Sequence, residues 1–574
     1  MSNNYKTLIE NVVAMRAKEL GTEKLDVAFM SIANEYLMLD YDLSIDELES
    51  GDTDGGLDGQ IDAMFVIVNG ALYAGDLGED IPPKGPLDVQ IVIIQSKNSD
   101  SFQANPLTII RSTVNDLFDL SKTYGEYLPN YDEKLQNTFA LARQAILATA
   151  GRAATVSVRV FYASKGATDN IHQNVIDTSQ ALQADLVGKT ATPDVAINFV
   201  GARELVDLVR QPKTRQRQLL HHSALSSDAG DSYLCLVPID ALVSFLSAES
   251  GSLIRSMFDA NVRDFLGKTE VNEAIRVSLN ELEEGDFWWL NNGITIVASA
   301  IDPKGKTLAL TEPLLVNGLQ TSSVIHAFMT DPTVSADLKV KRGKQIVLVK
   351  IILPPNEEVR DKVIKATNSQ TNIPKPYLRG MDTVHRNIED ALKPDDLFYE
   401  RRKNQYRNLG KPLNSIVTLS EMAQSLMAAI LFRPADARGR PNSLLKSDDD
   451  YQMLFSESYD LVMFKNVILA KRLIMGRLPV LFPNEQRTFR NDVVFHVLAY
   501  MSAAKFKAPG QAAHGWRTNI VTEAEVDAAI TVVAAMFKAA GGTDRVAKNT
   551  GFQDLVLLKA RSESVVAVEA AAQG

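Results

Sequence analysis

At 574 residues the chain is too long for one hydrophobic core, and about two to four domains are expected. With 45% hydrophobic and 23% charged residues it is globular throughout, and a net charge of −11 excludes a generally basic nucleic-acid coat but not a local basic groove. The chain has no apolar run of membrane-spanning length, a polar N-terminus and a single cysteine, Cys235. These features argue against a membrane span, a secretory signal, an internal disulfide and Cys-rich zinc sites, and point to the cytoplasm.

In chain order, residues 5–40 read as two helices, the second carrying Val27, Ile32, Tyr36 and Leu37 near one stripe. The acidic, glycine-rich "ESGDTDGGLDGQ" then breaks regular structure. "IDAMFVIV" and "VQIVIIQSK" follow as strands, joined by a Gly-, Pro- and Asp-rich connection. Helical stretches run from about residue 106 to 149. Two further strands, "VSVRVFYAS" and "DVAINFVG", have a helix between them, so the first 210 or so residues alternate as an α/β core. "LSSDAGDS", residues 225–232, reads as a linker. Beyond it helices and short strands mix to about residue 410, and the remainder is almost entirely helical. The final "SESVVAVEAAAQG" is expected to fray.

The strand "VQIVIIQSK" ends in polar residues. Residues two apart share a strand face, so Gln95 and Lys97 project together while Ser96 faces away. Asp62 opens the preceding strand. If the two strands pair antiparallel, Asp62 comes beside Gln95 and Lys97. A carboxylate, an amide oxygen and a lysine at one sheet edge suit metal-dependent phosphodiester cleavage. The oxygens hold a hard cation such as Mg²⁺, and the lysine stabilises charge on the phosphate. The glycines before Asp62 would leave room for a nucleic-acid backbone. An EF-hand reading of Asp54, Asp58 and Gly59 fails at its twelfth position, which is Phe65 rather than Glu.

"DGGLDGQID" followed by "VIIQSK" resembles the PD-(D/E)xK nuclease motif, in the Mrr-like variant with Gln in place of the second acid. The resemblance implies that Asp62 and Gln95 bind Mg²⁺ or Mn²⁺ and that Lys97 assists catalysis. Glutamine is a weaker ligand than glutamate, so a further carboxylate is expected, with Glu35 and Asp58 as the candidates. Asp58 also competes with Asp62 for the motif position. A nuclease fold without activity is the alternative.

In the second half, "FWWLNNGITI" reads as a strand, an Asn-Gly turn at Asn292–Gly293 and a second strand. Amides cluster here: Asn291 and Asn292, then Asn317 and Gln320, then Asn368 and Gln370. They either satisfy one another or line a recognition site. The basic run containing Arg401, Arg402 and Lys403 is either solvated surface or a nucleic-acid contact. Five motifs occur in order: "FDANVRDFLGKTEVNEAI", "FWWLNNGITI", "LLVNGLQTSSVI", "IKATNSQTNIPK" and "FYERRKNQY". Together they resemble the abortive-infection phage-resistance (AIPR) family, which implies a bacterial antiphage role. No HExxH, Walker A, GxSxG or GxGxxG pattern is present.

The expected architecture is an α/β nuclease-like domain with a mixed sheet flanked by helices at residues 1–224. A central α+β domain follows at 233–410, and a mostly α-helical domain at 411–574. The expected function is a Mg²⁺-dependent endonuclease acting on nucleic acid, DNA ahead of RNA, as a homodimer. The alternative is a non-catalytic sensor that binds nucleic acid or a phage component.

Overall fold

The computed structural model describes residues 2–75, 81, 87–121, 129–210, 216–229, 231–247, 253–258, 270–281, 285–331, 333–367, 380, 382–439, 448–485, 487–506, 508–518 and 521–573. Helices α1 (Ser2–Leu20), α2 (Leu25–Leu37) and α3 (Ile45–Gly51) lead into strand β1 (Ala63–Val68), the short β2 (Ala71–Leu72) and the long β3 (Leu87–Lys97). Ser44 caps α3 by accepting from the Glu47 amide, while the Glu47 carboxylate accepts from the Ser44 amide. Helix α3 thus takes in Glu49 to Gly51, the first residues of the acidic stretch expected to be irregular.

Helices α4 (Ala104–Leu117) and α5 (Glu133–Leu147) precede β4 (Ala154–Ser164), α6 (Gln173–Thr190), β5 (Val195–Val200) and α7 (Ala202–Val209). The sheet order is β2-β1-β3-β4-β5. β1 and β3 are antiparallel, with Ala63 opposite Ile94, whereas β3, β4 and β5 run parallel. Side chains alternate across the sheet. Met64, Val66, Ile91 and Ile93 pack with Leu107, Phe139 and Leu182 on one face. Phe65, Ile67, Val92 and Ile94 pack with Met38 and Leu43 on the other. Burial on both faces explains why β1 and β3 read as continuous apolar runs.

β6 (Gln216–Leu220), inside the range expected for the first domain, pairs with residues 307–311 of the next unit. The ends of the expected linker 225–232 lie in two paired strands. Strands β7 (Ser223–Ser226) and β8 (Ser232–Pro238) pair antiparallel, with Leu225 opposite Leu234. After α8 (Ile239–Leu246) and α9 (Glu270–Glu281) come β9 (Ile294–Val297), β10 (Ala300–Lys304), β11 (Thr307–Thr311) and β12 (Leu314–Asn317). They are followed by α10 (Leu319–Thr330), α11 (Ala336–Gly343), β13 (Ile346–Ile352) and α12 (Glu357–Thr367). One sheet runs β12-β9-β13-β8-β7 and a smaller one β10-β11-β6.

Residues 287–290, expected as a strand, form a 3-10 turn, so Asn292–Gly293 joins that turn to β9 and is not a hairpin. Gly293 has φ +78°, and a Cβ there would lie 2.6 Å from the Leu348 carbonyl oxygen. Close backbone approach to β13, not hairpin geometry, requires this glycine.

The boundary expected at residue 410 is bridged as well. β14 (Phe398–Glu400) pairs in parallel with β15 (Ile416–Thr418) across it, and one apolar core runs continuously from Val384 to Ala560. The helical unit therefore begins with the helix Thr383–Leu392. Its long members are Leu419–Leu431, Leu461–Leu481, Arg487–Phe506 and Glu523–Ala539, and the tail expected to fray continues the last helix, Thr550–Gln573. Among the described residues, no helix is long and apolar enough to cross a membrane.

Candidate functional site

Asp62 precedes β1, and extending the β1–β3 register puts it opposite Gln95. Its amide donates to the Ile94 carbonyl (3.0 Å). Its carboxylate is buried, and Oδ2 takes three donors: the Ser96 amide (2.6 Å), the Ser96 hydroxyl (2.7 Å) and Gln95 Nε2 (3.1 Å). The hydroxyl of Ser96, expected to face away, is thus a direct partner of Asp62. Gln95 is fully buried. Its Nε2 also donates to the Ser96 carbonyl (3.0 Å), while its Oε1 has no hydrogen-bond partner among the described residues.

The acidic loop folds back onto this strand end. The Thr53 and Asp54 amides both donate to the Asp62 carbonyl (2.9 and 3.1 Å), and Thr53 Oγ1 donates to the Ile61 carbonyl (2.6 Å). The carboxylate of Asp58 accepts from the Gln60 amide (2.8 Å) and the Gly55 amide (3.4 Å), closing a local turn. Gly59 has φ +59°, and a Cβ there would meet Thr113 Oγ1 at 2.3 Å. This glycine serves close packing on α4, not the approach of a nucleic-acid backbone.

Folding brings together one carboxylate oxygen each from Asp54, Asp58 and Asp62, all within 4.8 Å of one another. Burial pushes the Asp62 carboxyl up to about 7. The Ser96 hydrogen bonds oppose this, Asp54 adds to it and the Lys97 charge counters it. Asp54 is exposed and is the outermost of the three acids. Even so, desolvation there, with Asp52 and Asp58 as neighbours, raises it to about 6 against the pull of Lys97 and Arg487. Lys97 itself is half-buried at the end of β3.

Asp62, Gln95, Asp58 and Lys97 therefore lie at one strand end, joined by Asp54 and Ser96, which were not singled out for this site. The acidic composition of the loop was the only signal for Asp54. Glu35 is not a member of the cluster. It is buried on α2, with Oε2 2.6 Å from Arg16 Nη2 and Oε1 3.8 Å from Arg407 Nε.

Asn292 and Asn317 share one end of the main sheet of the central unit. Asn317 closes β12, and a Cβ on Gly318 would lie 3.2 Å from the Gly293 carbonyl oxygen, so the Asn292 and Asn317 backbones are neighbours. Asn291 Nδ2 donates to the Phe287 carbonyl (2.9 Å), while Asn292 and Asn317 are exposed. The buried Gln320 amide has no partner among the described residues. Asn368 and Gln370 lie outside the described residues.

The basic run is used internally. Arg401 is buried, with Nε on Glu389 (2.5 Å) and Nη2 on Glu357 (2.5 Å). Arg402 also pairs with Glu357, and Lys403 pairs with Glu47 of α3 (2.8 Å). Arg401, Arg402 and Lys403 are therefore structural partners of acids, not a free phosphate-binding face. The family match also falls on this second half. Residues 258–539 match the family model of the AIPR protein. That stretch, just under half of the chain, is similar to AIPR proteins and is called the AIPR domain below. No curated protein matches the chain, and no solved structure does.

The AIPR domain grips the N-terminal domain along α3 and the turn that precedes it. Asn404 Nδ2 donates to Asp42 Oδ1 (2.9 Å) and the Asp42 carbonyl (3.1 Å). Arg407 donates to the Leu43 carbonyl (2.7 Å), and the Thr418 hydroxyl donates to Asp46 (2.5 Å).

Proposed function

We propose that the N-terminal domain hydrolyses phosphodiester bonds of nucleic acid with Mg²⁺ or Mn²⁺, and that the protein acts in antiphage defence by abortive infection. The AIPR domain supports the defence role. One observation carries the chemistry: Asp62, a buried carboxylate with no cation bonded to it among the described residues, lies within 4.8 Å of two more carboxylates and is hydrogen-bonded to Gln95, whose buried oxygen has no partner among them either.

Hard divalent cations select such an all-oxygen donor set, and the orphaned Gln95 Oε1 is an atom that a cation would satisfy. Asp54, Asp58, Asp62 and Gln95 are the residues that would hold the ion. When bound, the metal polarises the phosphate and makes a bound water a better nucleophile. Ser96 fixes the Asp62 carboxylate through two hydrogen bonds to one oxygen, and the other oxygen accepts none from the described residues. Lys97, whose charge acts on both Asp54 and Asp62, would stabilise charge on the phosphate oxygens in this reading. Cutting both strands of a duplex takes two such sites, so a homodimer is the form proposed for DNA.

The test is purified full-length protein against plasmid, linear duplex, single strands and RNA, with Mg²⁺, with Mn²⁺ and with EDTA. Cleavage that needs metal and disappears in Asp62→Asn is the expected result. Nucleic-acid binding without cleavage in either metal would leave a non-catalytic sensor instead.

A further inference from the structure

We propose that Arg487, in the AIPR domain, is a positioning residue that sets the acidic cluster of the N-terminal domain. The inference rests on reading that cluster as a metal site. Arg487 opens the helix Arg487–Phe506, whose first turn contains no acidic residue and a second arginine, Arg490. Cations at a helix N-terminus oppose the macrodipole, so local helix physics does not favour arginine there. Its partners are 435 or more residues away in sequence: Nη1 lies 3.2 Å from Asp52 Oδ2, and Nη2 pairs with Glu49 of α3.

Asp52 is buried, and its other oxygen, Oδ1, accepts from the Asp54 amide (3.1 Å). The Asp52 backbone bridges antiparallel to Ala63, and the next two amides, Thr53 and Asp54, donate to the Asp62 carbonyl. A continuous chain of contacts thus runs from the Arg487 guanidinium through the Asp52 carboxylate to the backbone that carries Asp54 and aligns Asp62. From the N-terminal side, Lys134 of α5 donates to the Glu49 carbonyl (3.3 Å). Docking of the domains does not hang on Arg487 alone, because Asn404, Arg407, Thr418 and Lys403 make their own ties to residues 42–47. Arg487 is the tie that ends beside the cluster. Through it the AIPR domain determines whether the metal ligands are in register.

The experiment compares full-length wild type with Arg487→Gln, Arg487→Lys and, as a control on a neighbouring interdomain ion pair, Lys403→Ala. Mn²⁺ binding is measured by calorimetry, and local order by hydrogen exchange of residues 52–62. Arg487→Gln should weaken Mn²⁺ binding about tenfold, the usual cost of losing a group that orients a metal ligand. It should also speed exchange in residues 52–62 while leaving the rest of the N-terminal domain at the wild-type rate. Arg487→Lys, which keeps the charge but loses the planar fork, should recover part of both effects. Lys403→Ala should change neither.

Wild-type Mn²⁺ affinity together with unchanged exchange in Arg487→Gln would overturn the proposal. So would exchange that rises evenly through the whole domain, which marks a general stabiliser. If the wild type binds no Mn²⁺, the metal reading falls while the exchange data still decide whether Arg487 orders the loop. If Arg487→Gln does not fold, Arg487→Lys decides on the same two readouts.

Discussion

The strand-end cluster of the N-terminal domain and the ion pairs of the second half treat their acids differently. In the AIPR domain, burial pushes Glu421 up, but Lys471 and Arg472 outweigh it and hold the group below the usual carboxylate range. Glu357 is held down in the same way by Arg402 and Arg401. Where an acid there bonds a single arginine, as Asp361 does Arg386 and Asp492 does Arg438, burial wins and the group stays raised. At that strand end, Asp62 and Asp54 have no cation bonded to them among the described residues and rise to about 7 and about 6, against the pull of Lys97. Compensated charge is used to build the fold. Charge without a directly bonded cation among the described residues, gathered at one strand end, is the pattern on which the proposed metal site rests.

That contrast breaks most directly at Asp62. Asp62→Asn should reduce metal-dependent cleavage on the order of 10³-fold, comparable to removing a preorganised electrostatic group. The melting temperature without metal should not fall, because the lost charge had no bonded cation. An active variant would move the site to Asp58. The opposite pattern is expected at Arg401, where Arg401→Met strands the buried carboxylate of Glu389, while Glu357 keeps Arg402. The substitution should cost roughly 3–5 kcal/mol in urea denaturation, with turnover per folded molecule unchanged.

Asp46 sharpens the comparison through pH. It lies at the interface between the halves, accepts from the Thr418 hydroxyl, and is pushed up to about 7 by burial. The folded chain therefore holds a proton at Asp46 up to about pH 7, whereas the unfolded chain loses it near pH 4. Folding takes up a proton between those values, so this contribution to stability is lost as pH rises through that window. The change should be about 1–2 kcal/mol between pH 5.5 and 7. Asp46→Asn should flatten that part of the stability–pH curve, measured by urea melts at both pH values. The smallest effect is expected at Asn317. Its side chain is exposed, so Asn317→Ala should change stability by less than about 0.5 kcal/mol. A defence defect at that stability would mark a recognition role.

Much was legible from local pattern alone. The apolar runs of β1 and β3 and the acid–Gln–Lys spacing follow from period-two alternation, a property each segment carries by itself. The order of the five motifs in the second half is likewise a property of the chain, and the AIPR match falls on that half. Tertiary structure decided the rest, because charge has no meaning in sequence until its partner is known. Glu35 looked available as a ligand but faces Arg16 and Arg407. Arg401, Arg402 and Lys403 looked free for phosphate but face Glu389, Glu357 and Glu47. Residues 225–232 looked like a linker because small polar residues suit a connection between paired strands equally well, and only strand pairing tells the two apart. Ser96 turned up on Asp62 because alternation holds within a strand and loosens at its end. Arg487 was invisible for the plainest reason: its partner Asp52 lies 435 residues away, and the sequence does not say which surfaces meet.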